Sequence, residues 1–237
     1  CLASGKGLGG LYGGMCRAAT YSQLIESGLL VPVHCFSPYR PDLTGVHVTG
    51  GDYNAEQLQR RMDQPTLVGD VFREWSNHGE TRPTAVFATG VAHSIHLAEV
   101  FNGHGVRAEH LDGDTPDDER QQIFAGLRDG NVKVVVSCGV LSRGWDEPCV
   151  SCGVIAKPTR RLRSYLQMAG RIIRAFPPNK KDAVLIDHAG CIYRHGWPTE
   201  DHDWQLDPGV KIEERELAAR REKARQPYCC PKCAAMW

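Results

Sequence analysis

From residue 84 onward, short apolar runs alternate with helical patterns of about a dozen residues, and this rhythm constrains the fold more than any other feature of the chain. TAVFA (84–88), VRAEHL (106–111), VKVVVS (132–137), SCGVIA (151–156) and DAVLID (182–187) read as strands. VKVVVS is a β-branched run of the kind buried on both faces of a sheet. Between the runs, residues 91–103 carry apolar positions at Val91, Ile95, Ala98, Val100 and Phe101. Pro116 opens a helix through Arg128 with Ile123, Phe124 and Leu127 on one face and Gly130 beyond its end. Residues 161–174 read as a basic helix. Alternation of this kind predicts βαβ units, hence an α/β fold with a parallel sheet flanked by helices. Functional loops in such sheets lie at the carboxyl ends of the strands, here after Thr89, Leu111, Ser137, Ala156 and Asp187.

The flanks are less regular. Residues 1–14 hold six glycines and read as a loop, 19–30 as a short helix closed by Gly28, and VPVHCF (31–36) as a strand. A Pro- and Gly-rich connector follows, then helices near 55–62 and 66–78. After residue 190 the chain turns polar, and 211–225 read as a charged helix.

The 237 residues carry 28 Lys+Arg and 28 Asp+Glu, a formal net charge of zero, so nucleic-acid binding must come from local asymmetry. No run approaches the length of apolar residues needed to span a membrane. Ten cysteines, mostly single in apolar segments (Cys35, Cys138, Cys149, Cys152, Cys191), read as buried thiols of a reducing cytoplasm. The chain begins Cys1-Leu2-Ala3 and stops four residues after a CxxC, from which we expect an internal fragment of a longer protein.

A P-loop is not expected: Gly5-Lys6 is followed by Gly7 where Ser or Thr is needed, and no strand precedes it. Asp146-Glu147-Pro148-Cys149 only superficially resembles an acidic metal box. The sharpest charge feature is 157–181, which holds Lys157, Arg160, Arg161, Arg163, Arg171, Arg174, Lys180 and Lys181 without one acid. On a helix, Gln167, Arg171 and Arg174 fall at offsets of four and three and share a face. An amide and two guanidinium forks can hold a polyphosphate. A basic surface helix with no ligand is the plainer alternative.

Gln167-Met168-Ala169-Gly170-Arg171-Ile172-Ile173-Arg174 reads QxxGRxxR and resembles motif VI of superfamily 2 DEAD/DEAH-type ATP-dependent helicases. Cys138 to Pro148, with its Gly144-Trp145-Asp146 core, resembles motif V, and Thr84 to Leu97 resembles motif IV. The ordered set covers residues 65–190 strongly and 1–64 more weakly. The resemblance implies a second RecA-like domain at 51–190. Residues 1–50 would be the end of a first RecA-like domain and its linker. Residues 191–237 would be a polar connector, charged helix and truncated zinc ribbon. It also implies ATP with Mg²⁺ held between two such domains, the Walker Lys and the acidic metal residues lying in the other one. On this basis Arg174 is expected as the arginine finger with Arg171 beside it, and these two are the catalytic candidates. Gln167 would link nucleotide state to closure, Asp146 would accept from the ribose hydroxyl, and Gly144 would permit close approach. Thr89, Gly90, Arg120, Ser137 and Cys138 are the expected nucleic-acid contacts, DNA before RNA. Cys138 stands where the family often carries Thr, and His93 reads as a surface histidine at a helix start.

Cys230-Pro231-Lys232-Cys233 looks like one knuckle of a zinc ribbon; tetrahedral zinc takes four ligands, so a Zn²⁺ site would need a second pair. The function expected is an ATP-dependent helicase or translocase, inactive in hydrolysis as this fragment alone. A non-catalytic nucleic-acid-binding module with a zinc ribbon, or the motor subunit of a restriction enzyme, are the alternatives.

Overall fold

The structure, a computed structural model, describes residues 11–16, 18–79, 81–139, 146–202 and the single positions 206, 230, 235 and 236. Eight strands are described: β1 Val33–Phe36, β2 Val48–Thr49, β3 Asp52–Tyr53, β4 Thr84–Phe87, β5 Ala108–Leu111, β6 Val134–Ser137, β7 Cys152–Ile155 and β8 Ala183–Asp187. The helices are α1 Tyr21–Glu26, α2 Ala55–Met62, α3 Pro65–His78, α4 Val91–Gly103, α5 Asp117–Asp129, α6 Leu162–Ile172 and α7 Cys191–His195.

Six strands pair in the order β1-β8-β7-β4-β6-β5, every pair parallel. The strands are buried on both sides, and the period of two shows in which core each residue joins. Ala85, Phe87, Val135, Ile155 and Leu185 face a core shared with Leu127 of α5, Tyr165 and Ile172 of α6, and Ile192 of α7. Val86, Val134, Val136, Val154 and Ile186 face the opposite core with Val68, Val71 and Trp75 of α3 and Leu97 and Phe101 of α4. Helices thus cover both faces, as the alternation in the sequence requires.

α6 owes its place to one glycine. A Cβ on Gly153 of β7 would stand 2.5 Å from Ile172 Cγ1, so the helix packs closer to the sheet than any other residue there permits. Leu162, Tyr165, Met168, Ala169 and Ile172 form its buried stripe, which leaves Gln167 on the outward face.

Two elements lie outside the sequence expectation. The connector before α2 contains a hairpin in which Val48 pairs Tyr53 and Thr49 pairs Asp52. Gly50 (φ 60) and Gly51 (φ 82) supply the two positive φ angles that a two-residue hairpin turn requires. The short α7 follows β8 in a stretch expected to be polar connector.

The boundary expected at residue 50 does not follow the sheet. β1 pairs β8 in register, Val33 with Ala183 through Phe36 with Ile186, and so belongs to the same sheet as the rest. The charged helix expected at 211–225 and most of the zinc-ribbon knuckle, Cys233 included, lie outside the described residues. Cys230 donates its N–H to Ala235 O at 2.9 Å, and Met236 is buried and donates to Cys35 O of β1 at 2.9 Å. Among the described residues there is no group of three or more His, Cys, Asp or Glu able to hold a metal ion. No helix among the described residues is long and apolar enough to cross a membrane.

Candidate nucleotide and nucleic-acid site

α6 ends at Ile172, with Ile173 as its C-cap, so Arg174 stands beyond the helix rather than on its face. Its backbone is fixed instead by chain crossing: Leu30 and Arg174 form an antiparallel bridge, Val31 donates to Ile173 O, and Ala175 donates to Leu29 O. From there the Arg174 guanidinium ion-pairs with Asp146, at the far end of the loop after β6. Arg171, one turn back, is half-buried. Burial first, and Arg174 second, hold its guanidinium below its usual basicity, while Asp146 pulls the other way. Three of the five residues expected at a nucleotide, Asp146, Arg171 and Arg174, therefore sit together where the exit of the β6 loop meets the end of α6. Gly144 lies outside the described residues.

Gln167 faces a neighbouring cleft of about 480 Å³ at the carboxyl edge of the sheet. Ala88, Ser137 and Gly139 line it from the ends of β4 and β6, Lys157 and Arg161 from the β7–α6 connection, and Arg163 from the first turn of α6. A closing wall comes from Asp52 of β3, which accepts from Thr159 Oγ1 at 2.7 Å and from Arg160 N at 2.8 Å. α6 has no side-chain N-cap of its own, so this carboxylate beside its first turn complements the positive end of the helix dipole. Arg161 reaches back to Gly50 O, tying the hairpin turn to the same helix start.

The expected nucleic-acid contacts divide. Ser137 is buried but lines the cleft, and Cys138 is half-buried beside it. Burial raises the Cys138 thiol pKa and Lys157 lowers it, so the group is a neutral thiol at physiological pH. Thr89 is buried, and both its N–H (3.3 Å) and its hydroxyl (2.8 Å) are directed to His93 Nδ1. Because Nδ1 accepts from the amide it also accepts from the hydroxyl, so the hydroxyl proton is committed inward. His93 is accordingly a core residue at 1% exposure, not the surface histidine expected, and burial lowers its pKa to about 4. Gly90 caps the start of α4 under the side chain of Gln59, which occupies the space that a Cβ at residue 90 would take. Arg120, in the first turn of α5, is held locally, donating to Thr115 O at 3.0 Å and to Asp117 at 3.2 Å. Thr89, Gly90 and Arg120 do not line the basic cleft. Asp52 and Thr159 carry no local sign of a role in sequence, because what matters is a contact between residues more than a hundred positions apart.

Residues 65–176 match the family described as the helicase conserved C-terminal domain. A 51.5 kDa protein of a Lactococcus phage (isolate 7-9) is 28% identical over 236 residues, 99% of this chain and 50% of that protein. A Schizosaccharomyces pombe protein assigned as a mitochondrial ATP-dependent helicase is 31% identical over 140 residues, 59% of this chain and 23% of that protein. Among solved structures, a fragment assigned as the HsdR subunit of a type I restriction enzyme from Vibrio vulnificus YJ016 superposes with a TM-score of 0.62 at 15% identity, a likeness of fold. It covers 84% of this chain and 39% of that one. The chain thus spans half or less of the length of each.

Proposed function

Residues 65–176 form a helicase conserved C-terminal domain of the superfamily 2 type, and from that premise we propose that the chain is the second RecA-like half of an ATP-driven nucleic-acid motor, with DNA as its track. The observation that carries the proposal is the meeting of Asp146, Arg171 and Arg174 at the end of α6. Phosphoryl transfer needs little covalent help from a protein; it needs charge placed where the γ-phosphate oxygens develop it. ATP with Mg²⁺, bound by a first RecA-like unit that carries the P-loop, would supply the phosphoryl group. The residues here fit its far side: two guanidinium groups beside one carboxylate, only partly covered.

In this reading Asp146 holds Arg174 in reserve. The pair is largely exposed and so weakly bound, and it opens at little cost when the two RecA-like halves close. Arg174 then turns to the γ-phosphate, Arg171 supports it, and Asp146 is left free to accept from the ribose hydroxyl. Gln167 looks from the same helix into the basic cleft, where Lys157, Arg161 and Arg163 would neutralise backbone phosphates irrespective of sequence. One helix thus carries residues toward both ligands.

Replacing Arg174 by Ala in the full-length protein tests this directly. Nucleic-acid-stimulated ATP hydrolysis should fall by roughly 10³-fold or more while the circular dichroism spectrum is retained. Unchanged turnover would remove Arg174 from the site. Stimulation by RNA but not DNA oligonucleotides would reverse the choice of track and leave the motor intact.

A further inference from the structure

Lys180 has no part in the site above, yet among the described residues it is a lysine with its ammonium buried. It is 7% exposed and belongs to no ion pair among the described residues. Its ammonium donates instead to three backbone carbonyls: Ile172 O at 2.5 Å, Val150 O at 2.6 Å and Pro148 O at 3.4 Å. Ile172 is the last residue of α6 and lies two residues before Arg174. Pro148 lies two residues after Asp146. A single ammonium therefore joins the backbone segments from which both halves of the Asp146–Arg174 pair emerge. It also places a positive charge at the C-terminus of α6, where the helix dipole favours one.

We propose that Lys180 is a positioning residue for the nucleotide site, setting the exit of the β6 loop against the end of α6 so that Asp146 and Arg174 meet. The proposal rests on the functional reading above. Its chemistry gives it a signature. An ammonium has three protons for three carbonyls; a neutral amine has two, so deprotonation leaves one of the three carbonyls without a donor and weakens the clasp. Burial, foremost, lowers the Lys180 pKa from 10.5 to about 8. The groups facing it are Arg174 beyond α6 and Arg82 before β4, which lower it, and Cys149 from the segment before β7, which raises it only as a thiolate, a form its own burial disfavours. The clasp is complete below about pH 8 and loosens above it.

The test compares Lys180→Met with Lys181→Met, its exposed neighbour, in the full-length protein. Lys180→Met should lower kcat for nucleic-acid-stimulated ATP hydrolysis at least ~10-fold, since displacement of a reacting group by a fraction of an ångström is already costly. Oligonucleotide affinity should stay within about twofold, because the cleft residues are untouched. The alkaline decline of kcat near pH 8 should vanish with it, and Lys181→Met should behave as wild type. A folded Lys180→Met protein with wild-type kcat and an unchanged pH profile overturns the proposal. If Lys180→Met does not fold, the unsubstituted protein decides: the ¹³Cγ resonance of Asp146 should titrate with a midpoint near pH 8, and a resonance constant from pH 7 to 9.5 overturns it. That measurement needs no ATPase activity. A protein that shows the titration but hydrolyses no ATP would retain the clasp and lose the motor.

Discussion

Asp146 and Arg174, 28 residues apart in sequence, are ion-paired at the junction of the β6 loop and the end of α6. The relationship links the two stretches that carry the strongest family signals, and it does so on the surface rather than in the core. Side-chain exposures of 62% and 37% leave both groups available to a ligand.

An exposed pair contributes little to folding. A double-mutant cycle of Asp146→Ala and Arg174→Ala, read by urea unfolding, should give a coupling energy under about 1 kcal/mol. A larger value would mean that the pair is structural rather than held ready for ligand.

Gly153→Ala should act in the opposite way, on the fold and not on charge. The new methyl would press on Ile172 and lift α6 from the sheet, destabilising the protein by about 1–3 kcal/mol. Adding Ile172→Val should recover part of that loss, with both effects measured as shifts in the urea midpoint.

Acid should weaken the fold through two buried imidazoles. Burial depresses His93 and His188 from 6.5 to about 4. The unfolded chain therefore binds more protons than the native one in this window. The stability these groups hold is full above pH 6.5 and is lost as pH falls toward 4. Asp187 runs the other way: burial raises it from 3.8 to about 6 despite hydrogen bonds from Ile192, Cys191, Ala189 and Ser37, so its charged form strains the native state at neutral pH and is relieved on acidification. Two groups outweigh one. Unfolding free energy should drop by on the order of 3 kcal/mol between pH 7 and 4.5, and the drop should shrink when both histidines are replaced by Gln.

Charge in the cleft should appear as salt dependence. Lys157→Ala and Arg163→Ala should each reduce the slope of log affinity for single-stranded DNA against log salt by about 0.7, with stability changed by no more than about 0.5 kcal/mol. An unchanged slope would move the nucleic acid off this cleft.

Much of the architecture was legible because its signals are local. The β-branched run of β6, the Pro116 and Gly130 that bracket α5, and the spacing of Ile123 and Leu127 each declare an element without reference to the rest of the chain. The β2–β3 hairpin was legible too, in the Gly50-Gly51 pair between Val48-Thr49 and Asp52-Tyr53, but Pro and Gly nearby masked it as connector. Motif spacing named Asp146, Arg171 and Arg174 and could not foresee that two of them would pair. Helical arithmetic carried Arg174 onto a face of α6 that the helix does not extend to reach. His93 is buried where the sequence suggested a surface residue, because its hydrogen bonds with Thr89 permit burial that neither polar group would tolerate alone. Lys180 left no trace in the sequence, since a basic residue in a basic run gives no sign that its head is inside.

The pairing of β1 with β8 has a practical corollary. A version of the protein trimmed to begin at residue 51 would keep every helicase motif named above and still strip a partner from Ala183–Asp187, baring a row of amide and carbonyl groups along a strand whose residues are all buried. Such a surface invites a second molecule to dock strand to strand. A soluble minimal unit has to start upstream of Val33, and aggregation of the shorter version would report lost edge protection rather than a failure of the motifs to fold.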